Sequence, residues 1–175
     1  MTAAGNGSVD LDHPSFNGQF DRSVQDSGAI YVGASLSGSR SPSCSTNYGS
    51  RIDVHGWGDS VATLGYGTAF SEPGTDDRDY TLNFNGTSSA APMVSGAIAS
   101  IQGILMARGD EPLNPLKMRR ILSASGTPQS GELDRKIGSL PNIIDAIKMI
   151  DRIEMTKSLP SIYFLLEDEA PPPQP

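Results

Sequence analysis

The sequence predicts an α/β fold with a mostly parallel β-sheet flanked by helices, and two observations support this prediction. Short runs at 28–35 and 51–54 are rich in β-type residues and poor in polar ones, which is typical of strands in a largely buried parallel sheet. Apolar residues then recur at helical spacing from about residue 87 onward. In such a fold, helices are expected on both faces of the sheet.

Polar loops separate the predicted strands in the first part of the chain. Residues 1–6 contain the end of a strand, and 8–27 form a surface loop rich in Asp, Gly, Asn and Ser. Three carboxylates in this loop could in principle gather a calcium ion, but their spacing does not match a calcium-binding loop, so solvated carboxylates are the favoured interpretation. These residues are Asp10, Asp12 and Asp21.

The stretch before residue 87 is predicted to be largely irregular. Residues 60–64 form a third extended piece, and 65–79 form a polar loop that turns at Pro73-Gly74. Residues 80–84 then lead directly into the first helix.

The first predicted helix begins near Thr87 and stops at Gly109. Pro92 is compatible with it, because a proline in the first turn removes an N–H that has no intrahelical partner. The helix starts with many alanines, which predicts that it is buried centrally. Its expected core residues are Val94, Ile98, Ile101 and Leu105.

Two further helices follow from capping signals. One begins at Asn114, which is followed by a proline, and ends at Gly126. The other begins at Asn142 and runs to about Ile153. The residues expected to face the core are Leu116, Ile121 and Leu122 in the first of these and Ile143, Ile144, Ile147 and Ile150 in the second.

A serine at the start of the first helix is the main candidate for chemistry. Ser88 would lie where free backbone N–H groups and the helix dipole favour negative charge on or near its oxygen. Gly86 permits close approach of the backbone just before it. This arrangement suits a nucleophile. The alternative is an ordinary N-cap role for Ser88 or Thr87, since serine and threonine are common at that position.

The residues around Ser88 resemble a known catalytic motif. Residues 86–96 read Gly-Thr-Ser-Ser-Ala-Ala-Pro-Met-Val-Ser-Gly, similar to the catalytic-serine motif Gly-Thr-Ser-x-Ala-x-Pro-x-Val-x-Gly of the subtilisin-like serine peptidases. Residues 3–7, Ala-Ala-Gly-Asn-Gly, are similar to that family's strand end with the oxyanion-hole asparagine. Residues 30–34 and 52–54 resemble the intervening core strands. The resemblance covers about residues 2–150 and implies the C-terminal part of a catalytic domain, with the N-terminal half absent.

The resemblance implies a role for several residues. Ser88 would be the nucleophile of a serine endopeptidase, and the Asn6 side-chain amide would bind the oxyanion together with the Ser88 backbone N–H. Ala3, Ala4 and Gly5 would form part of the substrate-cleft wall. A turn asparagine between two glycines is the alternative interpretation of Asn6. The implied substrate is a polypeptide and no organic cofactor is required; the resemblance allows a structural calcium ion, which this sequence does not establish.

Neither histidine has the His-Gly-Thr setting of that family's catalytic base. His55-Gly56 matches its first two residues but follows the asparagine motif, so His55 is interpreted as structural or exposed, and His13 as a loop residue. The catalytic aspartate and histidine would precede residue 1. We therefore expect the chain alone to be inactive and the missing N-terminal half to be its partner. The alternative is a non-catalytic remnant or binding module with the same fold.

Composition limits the other classes of partner. The net charge is −7 and the sequence pI is about 4.7, without a basic stripe, which argues against nucleic-acid binding. No apolar run approaches a membrane span and no signal peptide is recognised, so no membrane partner is expected. The family resemblance implies an extracellular or cell-envelope location. Cys44, the one cysteine, has no disulfide partner within the chain and is assigned no role.

The sequence divides into two parts. Residues 1–155 are assigned to the C-terminal part of a subtilisin-like peptidase domain, and 156–175 are predicted to form a loose tail. In this tail, 162–166 are apolar, whereas 167–175 are acidic and rich in proline.

Overall fold

The computed structural model describes residues 1–157, apart from the side chains of Thr75, Asp76 and Lys157. The elements of this part of the chain are β1 (Thr2–Ala3), β2 (Tyr31–Ser35), β3 (Val54–Trp57), β4 (Val61–Leu64), β5 (Phe70–Glu72), β6 (Thr75–Phe84), α1 (Thr87–Arg108), α2 (Pro115–Ser125), β7 (Thr127–Pro128), β8 (Ser139–Leu140) and α3 (Ile143–Lys157). A short 3-10 helix, Pro14–Phe16, lies in the loop after β1. Most of the predicted tail lies outside the described residues.

The main sheet has five strands in the order β1-β2-β3-β8-β7. Strands β1, β2, β3 and β8 run parallel to one another, and β7 pairs with β8 in the antiparallel sense. The predicted mostly parallel sheet is confirmed. Strands β7 and β8 were not predicted, because each has only two residues and neither shows a periodic pattern.

One face of the main sheet carries the larger apolar core. Val32, Ala34 and Val54 present this face, and all three α-helices contribute buried residues to the same cluster. The helical members of the cluster include Ala90, Val94, Ile101 and Leu105 from α1, Met118, Ile121 and Leu122 from α2, and Ala146 and Ile150 from α3. In the described part of the chain, the helices therefore share one face, whereas helices on both faces were expected.

The opposite face of the sheet is covered by loops and a smaller apolar cluster. Ala4, Leu11, Ile52 and Ile137 are its buried members. A Cβ built on Gly33 would lie 3.0 Å from the Cβ of Ile137. The lack of a side chain at Gly33 therefore lets the segment that contains Ile137 pack closely on β2. Side chains alternate between the two faces along each strand, and this alternation determines the face on which each polar side chain of β3 lies.

Strand β3 begins three residues later than predicted, because residues 51–53 serve a buried polar network. The Asp53 carboxylate accepts hydrogen bonds from the Tyr31 N–H at 2.7 Å and from Arg51 at 2.8 Å, and it also pairs with Arg22. Strand β3 then continues through Gly56, which sequence reasoning had placed after the strand. A Cβ at Gly56 would lie 2.6 Å from the Ala90 carbonyl oxygen, so this glycine is required by the packing of α1.

The predicted polar loop at 65–79 is wrong over much of its length. Residues 70–72 form β5 and 75–84 form β6, and together with β4 they make an antiparallel sheet in the order β4-β6-β5. The turn predicted at Pro73-Gly74 does join β5 to β6. The strands were missed because Gly, Asp and Ser dominate the stretch, whereas its stability comes from pairing with neighbouring strands.

The capping signals of the later helices are confirmed, but two of the predicted core residues are wrong. The Asn114 side chain accepts a hydrogen bond from the Lys117 N–H at 2.9 Å, and α2 ends at Ser125. Leu116 is 47% exposed and Met118 takes its place in the core. Ile144 is 68% exposed, and α3 continues to Lys157 rather than ending near Ile153.

Helix α1 has one buried face and one exposed face. It ends at the predicted Gly109, whose φ of 82° lies in the left-handed region, so the predicted boundaries are confirmed. The exposed side carries mostly small residues, namely Pro92, Ser95, Gly96, Ala99 and Gly103. The predicted central burial is therefore only half realised in this chain.

Helix α1 is also long and apolar enough to cross a membrane, with a mean hydropathy of 1.5 over 18 residues. The prediction that no stretch approaches such a span is wrong on composition. Val94, Ile101 and Leu105 nevertheless pack into the apolar core on the main sheet, and 22% of this apolar window is buried.

Candidate active site

A glycine turn brings β6 into α1. Gly86 has a φ of 87°, a left-handed conformation that glycine adopts without strain, and its N–H donates to the Gly58 carbonyl at 2.9 Å. A Cβ at this position would lie 3.0 Å from Nδ2 of Asn6. Gly86 is the N-cap residue of α1 and provides no side-chain cap. The first N–H groups of the helix are therefore left for other partners.

Asn6 and Thr87 are joined by two hydrogen bonds at the start of α1. The Thr87 backbone N–H donates to Oδ1 of Asn6 at 2.9 Å, and the Thr87 hydroxyl donates to the same oxygen at 3.1 Å. The Gly5 N–H in turn donates to Oγ1 of Thr87 at 3.2 Å. These three bonds join segments more than 80 residues apart in sequence. Asn6 is therefore more than a local turn residue, because its side chain caps a distant helix.

The two serines that follow Thr87 differ sharply. Ser89 is buried, and its hydroxyl bonds to the Trp57 carbonyl at 2.8 Å and the Gly86 carbonyl at 3.1 Å. Ser88 is exposed, and its hydroxyl forms no hydrogen bond with any residue that the structure describes. Neither Ser88 nor Thr87 acts as a side-chain N-cap. Ser88 thus has a free hydroxyl at a helix N-terminus, where developing negative charge is favoured.

The Asn6 carboxamide has a fixed orientation. Because Oδ1 accepts two hydrogen bonds from Thr87, the nitrogen must be the other terminal atom. Nδ2 donates to none of the described residues, and the Asn6 side chain is exposed. Asn6 thus bonds to Thr87, the residue directly before Ser88. Its amide and the Ser88 backbone N–H are donors of the kind that stabilise an oxyanion.

Asn47 positions the segment that carries Asn6, and sequence reasoning missed it. Its Nδ2 donates to the Ala4 carbonyl at 2.8 Å, and its Oδ1 accepts from the N–H groups of Gly7 at 2.9 Å and Val9 at 3.0 Å. The Asn47 carboxamide therefore forms hydrogen bonds with residues before and after Asn6. In the sequence, Asn47 is only a polar residue beside a turn signal, so no local pattern could have identified this role.

The residues predicted to form the cleft wall lie in and just after β1. The side chain of Ala4 is buried in the smaller apolar cluster, so only its backbone is available to a ligand. Ala3 is partly exposed and pairs with Val32. Gly5 has a φ of 95° and is held by Thr87 and Asn47. The position next to Asn6 suits a cleft wall, and that role stays a prediction.

His55 lies on the opposite side of the main sheet from α1. Its neighbours Val54 and Gly56 on β3 face α1, so alternation turns His55 away from Ser88. The ring is fully buried, Nδ1 donates to the Gly138 carbonyl at 3.0 Å, and Nε2 has no hydrogen-bond partner. Burial lowers the pKa of His55 to about 4. Of the two interpretations offered for His55, the structural one is confirmed.

His13 is a loop residue, as predicted. It is exposed, and its Nδ1 accepts a hydrogen bond from the Ser15 N–H at 3.2 Å at the start of the 3-10 helix. No contact links it to Ser88. Neither histidine is therefore placed to act as a base for the Ser88 hydroxyl.

The carboxylates of the first loop are engaged in local hydrogen bonds. Asp10 accepts from the Asp12 N–H at 3.0 Å, Asp12 accepts from the Ser50 N–H at 2.7 Å, and Asp21 accepts from the Ser23 N–H at 2.7 Å. Among the described residues, no group of three or more His, Cys, Asp or Glu side chains could hold a metal ion. These residues do not fit a calcium site, and we derive no step from calcium.

Comparisons with known proteins agree with this architecture. A sequence profile of the subtilase family, peptidase S8, matches residues 1–139. A search of curated protein sequences gave no significant match.

Solved structures of proteases share the fold. The patellamide maturation protease PatA superposes with a TM-score of 0.62 at 22% identity, covering 85% of this chain and 50% of its own. The prenylagaramide maturation protease PagA gives 0.59 at 24% identity, covering 83% and 48%. A cold-adapted subtilisin-like serine proteinase gives 0.53 at 23% identity, covering 79% and 42%.

This chain thus spans about half the length of these solved structures. The profile match covers well over half of the chain, and the matched range includes Asn6, Thr87 and Ser88. The chain belongs to the subtilase family.

Proposed function

We propose that this chain forms the nucleophile-bearing portion of a serine endopeptidase that cleaves polypeptides through an acyl-enzyme on Ser88. The observation that carries the proposal is an exposed Ser88 hydroxyl at the N-terminus of α1, directly after Thr87, whose backbone N–H bonds to Oδ1 of Asn6. Family membership supports the same chemistry. Neither an organic cofactor nor a metal ion takes part in the proposed steps.

The proposed reaction has two acyl-transfer steps. The Ser88 Oγ attacks the scissile carbonyl carbon while a base takes its proton, and the resulting oxyanion is held by the Asn6 Nδ2–H and the Ser88 N–H. The peptide C–N bond then breaks, and the amine leaves with the proton returned by the base. Water attacks the acyl-enzyme in the same way and releases the carboxylic acid product with the free serine.

The base and the aspartate that orients it must come from outside this sequence. Neither His13 nor His55 is near Ser88, and His55 faces the other side of the sheet. We therefore propose that the chain alone is inactive and that a segment equivalent to the missing N-terminal half supplies both residues. Without them, only the small rate enhancement from the oxyanion site and binding would remain.

Two exposed features support a partner segment at this place. Among the strands that the structure describes, β1 pairs only with β2, and none of them lies at its other edge, where a further strand could pair. The small residues on the exposed face of α1 leave room for close packing, since a Cβ at Gly96 or Gly103 would meet no atom within 4 Å. An open edge and an apolar helix face favour association, so we expect the purified chain to self-associate when the partner is absent.

The proposed substrate is an extended polypeptide bound beside β1. One solved relative of the same fold is a PatG macrocyclase in complex with a peptide. Ala3 would offer backbone groups along the substrate. Ala4 and Gly5, whose backbone groups bond to Val32, Asn47 and Thr87, would form the adjacent cleft wall, and Gly7 adds no side chain to the cleft. An extracellular or cell-envelope location is part of the same proposal.

The test compares the chain alone with the chain plus the polypeptide encoded immediately upstream. A fluorophosphonate probe reports an activated serine, and a quenched-fluorescence peptide mixture reports turnover. We expect neither signal from the chain alone, and both signals from the mixture, with labelling abolished by Ser88→Ala. Labelling and turnover by the chain alone would contradict the need for a partner. An unreactive Ser88 in the complemented protein would contradict the nucleophile assignment.

The alternative is a non-catalytic remnant or binding module of subtilisin-like fold. The observation that favours it is the lack of any base near Ser88 within the described residues. The upstream sequence distinguishes the two functions. A strand with an aspartate and a His-Gly-Thr helix there would support the peptidase, and their absence would support the remnant.

A further inference from the structure

A groove between α2 and α3 combines an apolar floor with a basic rim. It has a volume of about 250 Å³. Leu113, Ile121, Ile150 and Ile153 supply the apolar lining, Lys117 and Arg120 supply the basic groups, and Glu154 is the one acidic residue that lines it. Ile153 is 43% exposed, so the floor is partly open to water.

The two cations at the rim are free to bind an acidic segment. Lys117 and Arg120 are both exposed, and neither forms an ion pair with another described side chain. Their neighbour Arg119 differs, because it binds the Asp26 carboxylate with both terminal nitrogens.

The C-terminal sequence of the same chain has the complementary pattern. Residues 162–166 read Ile-Tyr-Phe-Leu-Leu, and 167–169 read Glu-Asp-Glu. An apolar run followed at once by three carboxylates matches an apolar floor with cations at its rim. Residues 170–175 contain one alanine, four prolines and one glutamine, and they carry no side chain that would suit the groove better.

The connection is long enough to allow this contact. Helix α3 is described as far as Lys157, and four residues, 158–161, separate Lys157 from Ile162 in the sequence. The five residue steps from Lys157 to Ile162 can span up to about 17 Å. Ile153 lies four residues before the end of α3, or about 6 Å along its axis. A reversal after Lys157, in a stretch that contains Pro160, therefore suffices to reach the groove.

We propose that the segment 162–169 binds in this groove, with 162–166 covering the apolar residues and 167–169 facing Lys117 and Arg120. For these eight residues, the proposal differs from the expectation of a loose tail. A tethered segment is present at high effective concentration, which favours it over an occupant from another molecule. The groove is formed by α2 and α3 and includes none of the residues proposed for catalysis, so this inference does not depend on the proposed peptidase activity.

Disulfide trapping in the full-length chain tests the proposal. In a Cys44→Ser background, Ile153→Cys is combined with Phe164→Cys, and the matched control combines Arg152→Cys with Phe164→Cys. Residue 152 is exposed and equally close to the end of α3, but it does not line the groove. We expect intramolecular disulfide formation at least tenfold faster for the 153–164 pair. Equal rates for the two pairs would overturn the proposal.

A charge exchange tests the rim independently. Lys117→Glu with Arg120→Glu should slow trapping of the 153–164 pair about tenfold, and adding Glu167→Lys with Glu169→Lys should restore it. Failure of the second change to restore the rate would overturn the ionic part of the proposal. Disulfide-linked dimers in place of the intramolecular bond would identify a second copy as the occupant and overturn it altogether.

Amide hydrogen exchange provides a measurement without any cysteine. In the unmodified chain, the amides of 162–166 should exchange at least tenfold more slowly than in a free peptide of the same sequence. Exchange at the free-peptide rate would overturn the proposal even if a cysteine variant failed to fold.

Discussion

Ser88 and His55 each lie in a short sequence that resembles part of a catalytic motif, yet the structure exposes Ser88 and buries His55. Ser88 is exposed at the start of α1 with a free hydroxyl, whereas His55 is fully buried on the other side of the sheet with an unpartnered Nε2. The Gly-Thr-Ser and His-Gly patterns are equally easy to notice in the sequence. The difference shows that a motif marks a site only where the fold exposes the reactive atom and places its partners beside it.

The surroundings of the two groups explain their different chemistry. Water and the helix N-terminus favour an alkoxide-like oxygen at Ser88. A proton on Nε2 of His55 would instead introduce a buried charge and a donor without an acceptor, which is costly. His55 is therefore kept neutral, with Nδ1–H bonded to the Gly138 carbonyl. The predictions below test this contrast, starting with the largest effect.

Removal of Ser88 should abolish turnover, whereas replacement of His55 should not. In the protein complemented with its upstream half, Ser88→Ala is expected to lower kcat by about a million-fold, the size of loss known from removing the nucleophile of subtilisin. His55→Gln should leave kcat within about threefold of its original value, a margin of about 0.6 kcal/mol. Steady-state kinetics with circular dichroism as a control for folding measures both. A catalytic collapse in folded His55→Gln would refute the structural assignment of this residue.

Loss of the Asn6 amide should give a smaller defect confined to turnover. Asn6→Ala removes one oxyanion donor, which typically costs about 100 to 1,000-fold in kcat, a range measured on subtilisin itself. The Michaelis constant should change little, because the amide bonds the oxyanion more strongly than the ground-state carbonyl. Asn47→Ala is the informative comparison, since it removes only the support of the Asn6 turn. An Asn6→Ala variant with intact kcat and a raised Michaelis constant would make Asn6 a binding or turn residue.

The helices could be predicted from sequence because their signals are local. Gly109 ends α1 and Asn114 caps α2 through contacts within one helical turn. The buried face of each helix was harder to predict. Leu116 was expected in the core, but Met118 is buried in its place. Met118 lies three and four residues before Ile121 and Leu122 and therefore shares their buried face, whereas Leu116, five and six residues before them, does not.

The polar parts of the site depend on long-range contacts that no pattern encodes. Asn47 holds the Asn6 turn from about 40 residues away, and Thr87 reaches Gly5 across 82 positions. The family resemblance supplied Ser88 and Asn6, whereas Asn47 became visible only in the structure. Gly56 is a similar case, because its need for space comes from Ala90 on a different element.

The buried imidazole should make stability fall in weak acid. Because the pKa of His55 is lowered from 6.5 to about 4 by burial, the unfolded chain binds a proton that the folded chain rejects. The stability contribution is fully present above pH 6.5 and is lost as the pH falls towards 4, in total about 3 kcal/mol. Urea unfolding at pH 7 and pH 4.5 measures the loss of stability. In His55→Gln, the difference in the free energy of unfolding between the two pH values should be smaller. An unchanged pH dependence in that variant would assign the acid sensitivity to other groups.

The smallest expected effect comes from removal of the Thr87 hydroxyl, which hydrogen-bonds to both Asn6 and Gly5. Thr87→Val keeps the shape and the backbone N–H bond to Asn6 but removes the hydroxyl bonds to Asn6 and Gly5. One weakened hydrogen-bond network of this kind is worth about 1 kcal/mol, so kcat should fall by about fivefold while the Michaelis constant is preserved. Thr87→Ser retains the hydroxyl and should stay within about twofold of the original rate. Equal defects in the valine and serine variants would mean that the methyl packing of Thr87, which is buried beside the helix start, matters as much as its hydrogen bonds.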